Sequence, residues 1–436
     1  MPTMTSKSVR TVAAAATAAL ALLAPAVALP RAAYAAAPSC RDADVSPTVE
    51  ESRLTVTLGL NPQPVPGQIL QRSGFDVIAD QFEHSLCATR SAAAASVLVD
   101  GVGLRLWKAA VDRSRHATSG SLDLPRDDDR PLYWARLRMA LALRQWMPSF
   151  PLGAAGRAEL ERRLEYASRG ITSTSFGGRA GVRRLLVSGF DPFLLDTEIR
   201  RSNPSGAAVL RLDGTVLHLD GQRVEVQAVV FPVRYADFDQ GIAEATFRPQ
   251  LLPGSQRVDM FTTISQGRPG QFDLEVWNGR RRSVLSIGDN NNVWGGGTAL
   301  APVAFPGVAP GPEFVRSTLP IDAMLAADGR PFPVKRNTLV VEIPAGSTTP
   351  VVRPDGPTEG SIAVQGGGGG YLSNEVAYRA TLLRNILAPD LPGGHLHTPV
   401  LDMAPDNLTE ITDPTFEKNR TDIGTQVALA LRLALG

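Results

Sequence analysis

The feature that most constrains this chain is a change of hydrophobic rhythm near residue 180, after which short apolar runs alternate with helical patterns. Arg184-Leu-Leu-Val-Ser-Gly189 is an apolar run ending in a turn, which predicts a buried strand leaving at the carboxyl edge of a sheet. Val224–Phe231 alternates and then turns wholly apolar, Val258–Ile264 is a third run, and Thr338–Ile343 is a candidate fourth. Helical patterns over Gly206–Leu212, Tyr235–Leu252 and Val376–Leu387 fall between them. Thr421–Leu435, with Ile423, Val427 and Ala434 on one stripe, closes the chain. Strand and helix in alternation predict the α/β class: a three-layer twisted sheet with helices on both faces and ligands near the strands' carboxyl ends.

Ahead of residues 179–436, which carry that pattern, residues 36–178 read as an added, mainly helical region of no assigned role. Leu160, Leu164 and Ala167 fall at i, i+4, i+7 with Gly170 as a stop, and Gln81–Val99, Val102–Arg115 and Leu132–Met147 are looser helical patterns. Residues 1–35 have the layout of a secretory signal peptide: Lys7 and Arg10, an apolar Val12–Leu29, then Ala33-Tyr34-Ala35 at a cleavage-like site. Pro25 and the alanine-rich composition argue against a lasting membrane anchor. The expectation is a secreted protein with no stable membrane insertion once the signal is removed. Export also makes a Cys40–Cys87 disulfide reasonable, since these are the chain's two cysteines. At 436 residues, 43% of them hydrophobic, the chain can bury a sizeable core, and a net charge of +1 gives no electrostatic case for nucleic acid.

Among five histidines, His395-Leu-His397 stands out, because alternate residues of an extended segment share a face. A metal reading lacks an evident third ligand, so no metal or other cofactor is expected, and a general base is the better reading. No Gly-x-Ser-x-Gly elbow occurs. The run Gly366–Gly370 has no lysine of phosphate-cradle spacing and predicts a mobile loop; Ser347–Gly360 reads as an insertion or flap.

Six segments, in order, carry a resemblance to one family. Val187-Ser-Gly-Phe-Asp-Pro-Phe193 is followed by Asn203-Pro-Ser205, then Ile264-Ser-Gln-Gly-Arg268, Asp273-Leu-Glu-Val-Trp-Asn278, Gly288-Asp-Asn-Asn291 and Gly393-Gly-His-Leu-His-Thr-Pro399. Together they resemble the type I pyroglutamyl peptidases over about residues 183 to 435. That family opens with Gly-Phe-x-Pro-Phe and Asn-Pro-Ser, and carries its histidine in Gly-Gly-Phe-Ile-His-x-Pro. The resemblance implies a hydrolase that removes N-terminal pyroglutamate, or a related cyclised group, from a peptide with a blocked N-terminus. It also implies roles: His397 as base, Glu275 as the acid that orients it, Phe190 and Phe193 lining an apolar slot for the lactam ring, and Asn203 and Gln266 as polar partners.

One part of the family pattern is absent. Its cysteine nucleophile follows Ser-x-x-Ala-Gly-x-Phe-Val, and the run aligned with it here is Ser373-Asn-Glu-Val-Ala-Tyr-Arg-Ala-Thr381, which puts Thr381, or Ala380 with a shift of one, at the nucleophile position. Ser373 and Tyr378 are the other hydroxyls of that run. Leu194-Leu195 also stand where the family has two glycines. Two functions follow as expectations: a secreted pyroglutamyl-peptidase-like hydrolase with a non-cysteine nucleophile, and, as the alternative, a catalytically inactive binding protein that keeps the fold.

Overall fold

A computed structural model describes residues 40–116, 123–178, 181–219, 221–284 and 288–436, so the expected signal peptide lies outside the described residues. Among the described residues, six α-helices precede the first strand: α1 (Val49–Ser52), α2 (Val65–Ser73), α3 (Asp76–Ala88), α4 (Ala92–Arg115), α5 (Arg130–Gln145) and α6 (Ala154–Ala167). Thr48 and Glu51 form a reciprocal capping box on α1, and Leu160, Leu164 and Ala167 are buried on α6 as their spacing requires. The helix expected over Gln81–Val99 is instead two helices. Ser91 accepts from Ala94 N and starts α4, which then runs through the segment expected to begin at Val102. A disulfide joins Cys40 to Cys87 on α3.

The α/β part follows in the order β1 (Val182–Phe190), α7 (Pro204–Leu212), β2 (Val216–Leu219), β3 (Gln222–Phe231), α8 (Tyr235–Asp239), α9 (Ile242–Leu251) and β4 (Met260–Gln266). After β5 (Phe272–Glu275), two short antiparallel pairs form: β6 (Trp277–Gly279) with β9 (Phe314–Arg316), and β7 (Arg281–Arg282) with β8 (Val303–Ala304). Then come α10 (Ile321–Met324), β10 (Val334–Asn337), β11 (Val340–Ile343), β12 (Val351–Arg353), β13 (Ile362–Gln365), α11 (Leu372–Leu387), β14 (Gly393–Thr398) and α12 (Pro414–Leu435).

Seven strands form the central sheet in the order β10-β5-β14-β4-β1-β3-β2. The central four, β14, β4, β1 and β3, are mutually parallel; β5 and β2 run antiparallel to their inner neighbours. Helices cover both faces, which is the expected three-layer α/β arrangement. Helix α12 packs on α7 on one side, and α9 and α11 pack together on the other. The expected fourth strand, Thr338–Ile343, is not in this sheet. Its β11 pairs antiparallel with β12 and β13 in a separate three-stranded sheet, because Asn337 ends β10 and its side-chain oxygen accepts from Leu339 N, turning the chain away.

Cys40–Gly436 form one compact unit, and buried ion pairs tie the helical region to the strand ends. Asp191, just beyond β1, is held by Arg136 of α5 and by Arg169, whose Nη1 donates at 2.6 Å. Glu165 of α6 pairs with Arg169 and Arg234, and Glu50 of α1 accepts from Arg234, Tyr133 and Asn290. All these charges are partnered, which is the condition under which burying them is tolerable. The helical region therefore brackets the loop that follows β1.

Candidate active site

Three neighbouring strands place six side chains in two rows on one face of the sheet. In register, His395 lies between Thr263 and Glu275, and His397 between Ser265 and Asp273. Side chains two residues apart share a face, so the period-two spacing of 395 and 397, of 273 and 275, and of 263 and 265 builds this array. His397 reaches diagonally across it: its Nδ1 donates to Glu275 Oε1 at 2.8 Å. The other carboxylate oxygen accepts from Asn337 Nδ2 at 2.7 Å, fixing the acid from the opposite side. Glu275 is 1% exposed and His397 6%, so the pair is nearly dry. Asp273 is engaged elsewhere, accepting from Arg268 Nε and Gln271 Nε2 at 2.8 Å each. Asn337 carried no motif, and only the pairing of β10 with β5 brings it here.

His395 is fully buried, and burial, aided by the nearby His397, holds its imidazole well below the usual histidine range. It is therefore neutral at physiological pH.

The array opens into a cavity of about 440 Å³ lined by His397, Glu275, Ser265, Phe190, Phe193 and Ser373 among others. Phe190 stacks on Phe238 and packs tilted against Phe231 in the core, and it lines the cavity; Phe193 is half-buried there. Asn203 lines it too, but its amide is committed: Nδ2 donates to Asp191 O, and Oδ1 caps α7 by accepting from Ser205 N and Oγ. Gln266 lines the wall, its Oε1 3.4 Å from Leu401 N. Ser265 is 2% exposed, and its hydroxyl has no hydrogen-bond partner among the described residues.

The glycine run is the floor of this cavity, which corrects the expectation of a mobile loop. A Cβ on Gly366 would meet Asn374 Oδ1 at 2.2 Å, and one on Gly370 would meet Ser283 Oγ at 2.1 Å. Gly366 and Gly369 also bond to each other's backbone, and Gly367 N donates to Trp277 O at 2.7 Å. Gly366, Gly367, Gly368 and Gly370 are packed so tightly that a side chain would not fit, while Gly369 has open space beside it and is favoured by its φ of +80°. Gly267 plays the same part beside the base, where a Cβ would stand 2.6 Å from His397 Cβ.

Thr381, the expected nucleophile position, is corrected by the structure. It is fully buried on α11, faces Asn278 Nδ2 at 3.5 Å and does not line the cavity. Ser373 does line it, in the first turn of the same helix, eight residues and about 12 Å of helix rise earlier. The first N–H groups of a helix have no intrahelical acceptor, so the hydroxyl sits beside donors that can receive a developing negative charge. The signal for Ser373 was present: aligned on its aromatic and aliphatic pair, the pattern Gly-x-Phe-Val before the nucleophile becomes Gly369-Gly370-Tyr371-Leu372, and Ser373 follows.

Comparison with known proteins matches residues 32–165 to the family described as PA0049 N-terminal domain. Residues 184–306 and 330–402 match PA0049, C-terminal domain. The uncharacterized protein PA0049 of Pseudomonas aeruginosa is 35% identical over 428 residues, covering 78% of this chain and 77% of that protein. Similar solved structures include pyroglutamyl peptidase I of Bacillus amyloliquefaciens, at 18% identity and TM-score 0.38, covering 58% of this chain and 96% of that one. The pyrrolidone carboxyl peptidase of Thermus thermophilus is 20% identical with TM-score 0.36, covering 58% and 98%.

Proposed function

The chain belongs to the PA0049 family, and from that premise we propose that it is an amide hydrolase using Ser373 as nucleophile, His397 as general base and Glu275 as the acid that orients it. The observation that carries the reading is the 2.8 Å bond from His397 Nδ1 to Glu275 Oε1, in a cavity that Ser373 also lines. With Nδ1–H spent on the carboxylate, Nε2, which lies 3.4 Å from His395 Nε2, is the nitrogen left to take the serine proton as Oγ attacks the carbonyl carbon. The imidazolium then returns that proton to the leaving amine, and water releases the acyl group by the same route. The N–H groups opening α11 face the developing oxyanion.

The substrate is a peptide blocked by N-terminal pyroglutamate or a related cyclic amide, met after export from the cytoplasm. Phe190 and Phe193 offer a flat apolar wall to the ring, and the unpaired Ser265 hydroxyl offers its polar edge a hydrogen bond. A hydroxyl is much less acidic than the thiol of the resembled peptidases, so this site depends wholly on a neutral base beside it.

The test is hydrolysis of a pyroglutamyl fluorogenic amide by the mature chain and its Ser373→Ala and His397→Ala variants. Turnover in the parent, lost on the order of a thousandfold or more in both variants, supports the reading. Saturable binding of pyroglutamate without turnover would make it a binding protein.

A further inference from the structure

His395 is the buried group that this chemistry leaves unused. Its Nε2 lies 3.4 Å from His397 Nε2, with the rings nearly perpendicular at 89° and their centroids 4.6 Å apart. Its Nδ1 lies 2.7 Å from Thr263 Oγ1. Thr263 Oγ1 also lies 3.2 Å from Gly394 O, so its single proton has two acceptors, of which His395 Nδ1 is the nearer. Counted from Glu275 outward, the hydrogens form one continuous chain when that proton goes to the nearer acceptor. The carboxylate brings none, so His397 Nδ1 donates to it, and neutral His397 turns a lone pair outward at Nε2. The nitrogen facing that lone pair must bring a hydrogen, so His395 is protonated on Nε2. Its Nδ1 is then an acceptor, and Thr263 donates to it at a length ordinary for a hydroxyl donor.

Resting on the catalytic reading above, we propose that His395 is a positioning residue which, locked by Thr263 as an Nε2–H donor, keeps His397 a neutral base until the serine proton arrives. Protonating His397 Nε2 early would set two N–H groups head to head across 3.4 Å. Burial denies His395 a charge of its own, so it stays a neutral donor. A contact of 3.4 Å is long and weak, and it yields when the serine hydroxyl approaches. A thiol enzyme has less need of such a device, because its nucleophile ionises readily, whereas a serine must find the base unprotonated at the moment of attack.

The other groups facing His397 do not supply this function. Glu275 favours the charged imidazole, Asp273 is neutralised by Arg268 at the cavity rim, and Ser265 on β4 and Asn337 on β10 are uncharged. On α11, Glu375 is paired with Arg282 and Arg379.

Two readouts test this on the full mature chain: the pH profile of kcat/KM on a pyroglutamyl amide, and the ring-nitrogen NMR titration of His397 in a Ser373→Ala background. His395→Phe is expected to move the acid limb and the ring titration up by about one pH unit, a tenfold change in the free-base fraction on that limb. His395→Gln, whose amide keeps an N–H near the same point, returns both most of the way. Thr263→Val shifts both upward by less. A rate loss in His395→Phe with both positions unmoved or lowered would overturn the proposal. If that variant does not fold, absence of an upward shift in Thr263→Val overturns it equally. A ring titration that moves as expected in a chain with no turnover would sink the proposed reaction and leave the coupling of the two histidines standing.

Discussion

Gly367 lies so close to Glu275 that a Cβ built on it would fall 1.9 Å from Glu275 Oε2. The glycine run and the orienting acid are thus one packed object, and the bond from Glu275 to His397 depends on a missing methyl group 92 residues along the chain. Gly367→Ala is expected to push the carboxylate off His397 and lower kcat about a hundredfold, since misplacing a catalytic group by about 1 Å costs that much. Steady-state kinetics beside a circular dichroism spectrum checks this: unchanged kcat in a folded variant contradicts the packing described.

Thr381→Ala separates the two candidate nucleophile positions. Thr381 contacts Asn278 inside the protein and does not line the cavity that holds His397 and Glu275. Its loss should cost about 1 kcal/mol of stability in a denaturant titration while kcat stays within about twofold of the parent. A collapse of kcat in the folded variant would return the role to Thr381.

Asp191 joins the helical region to the loop after β1 through Arg136 and Arg169. Asp191→Ala leaves two buried guanidinium groups without this partner and should destabilise the chain by about 3–5 kcal/mol. Unfolding in urea measures it, and a loss below about 1 kcal/mol would show that the bracket is not structural.

The pH dependence of stability has a named source in Asp129, whose carboxyl is raised to about 7 by burial first and by the charge of Asp128 second. An acid raised in the folded state favours folding while protonated. Its contribution is full below the ordinary carboxylate value of about 4 and is lost as pH rises through about 7. The unfolding free energy should fall between these limits in the parent and fall less in Asp129→Asn, which mimics the protonated form facing Ser202 and Asn203. Equal slopes in the two proteins would refute the assignment.

The cysteines predict a clean separation of stability from chemistry. Cys40 and Cys87 close a loop between residues 47 apart, which is worth about 4 kcal/mol in the chain-entropy account. Reduction should lower the midpoint of thermal unfolding, and treatment of the native chain with iodoacetamide should leave turnover untouched. Inhibition by the alkylating agent would place a thiol in the reaction.

Much of this site was legible before any coordinates because its geometry follows from spacing. The His-Leu-His of β14 and the Asp-Leu-Glu of β5 each put two side chains on one face, and the order of the motifs brings those strands side by side. Ser373 was less legible, since counting without gaps from a serine that begins the matching run passes over it. Its position depends on where α11 begins, and element boundaries are the least readable part of a chain. The glycine run misled for a physical reason: composition reports the absence of side chains but not whether neighbouring atoms fill the space. Asn337 and the clamp of Arg136 and Arg169 on Asp191 join segments far apart in sequence and have no local signature. The placement of β11 in its own sheet is likewise set by Asn337 turning the chain, which the apolar run Val340–Ile343 does not reveal.

The central claim is that Ser373 forms the covalent intermediate. Its most direct measurement is rapid quenching of the mature chain with a pyroglutamyl ester, followed by mass mapping of the peptides. The account predicts one added acyl group on the peptide that opens α11, at Ser373, absent in Ser373→Ala and accumulating in a variant with slowed deacylation. An acyl group on any other residue, or turnover undiminished in folded Ser373→Ala, would contradict it.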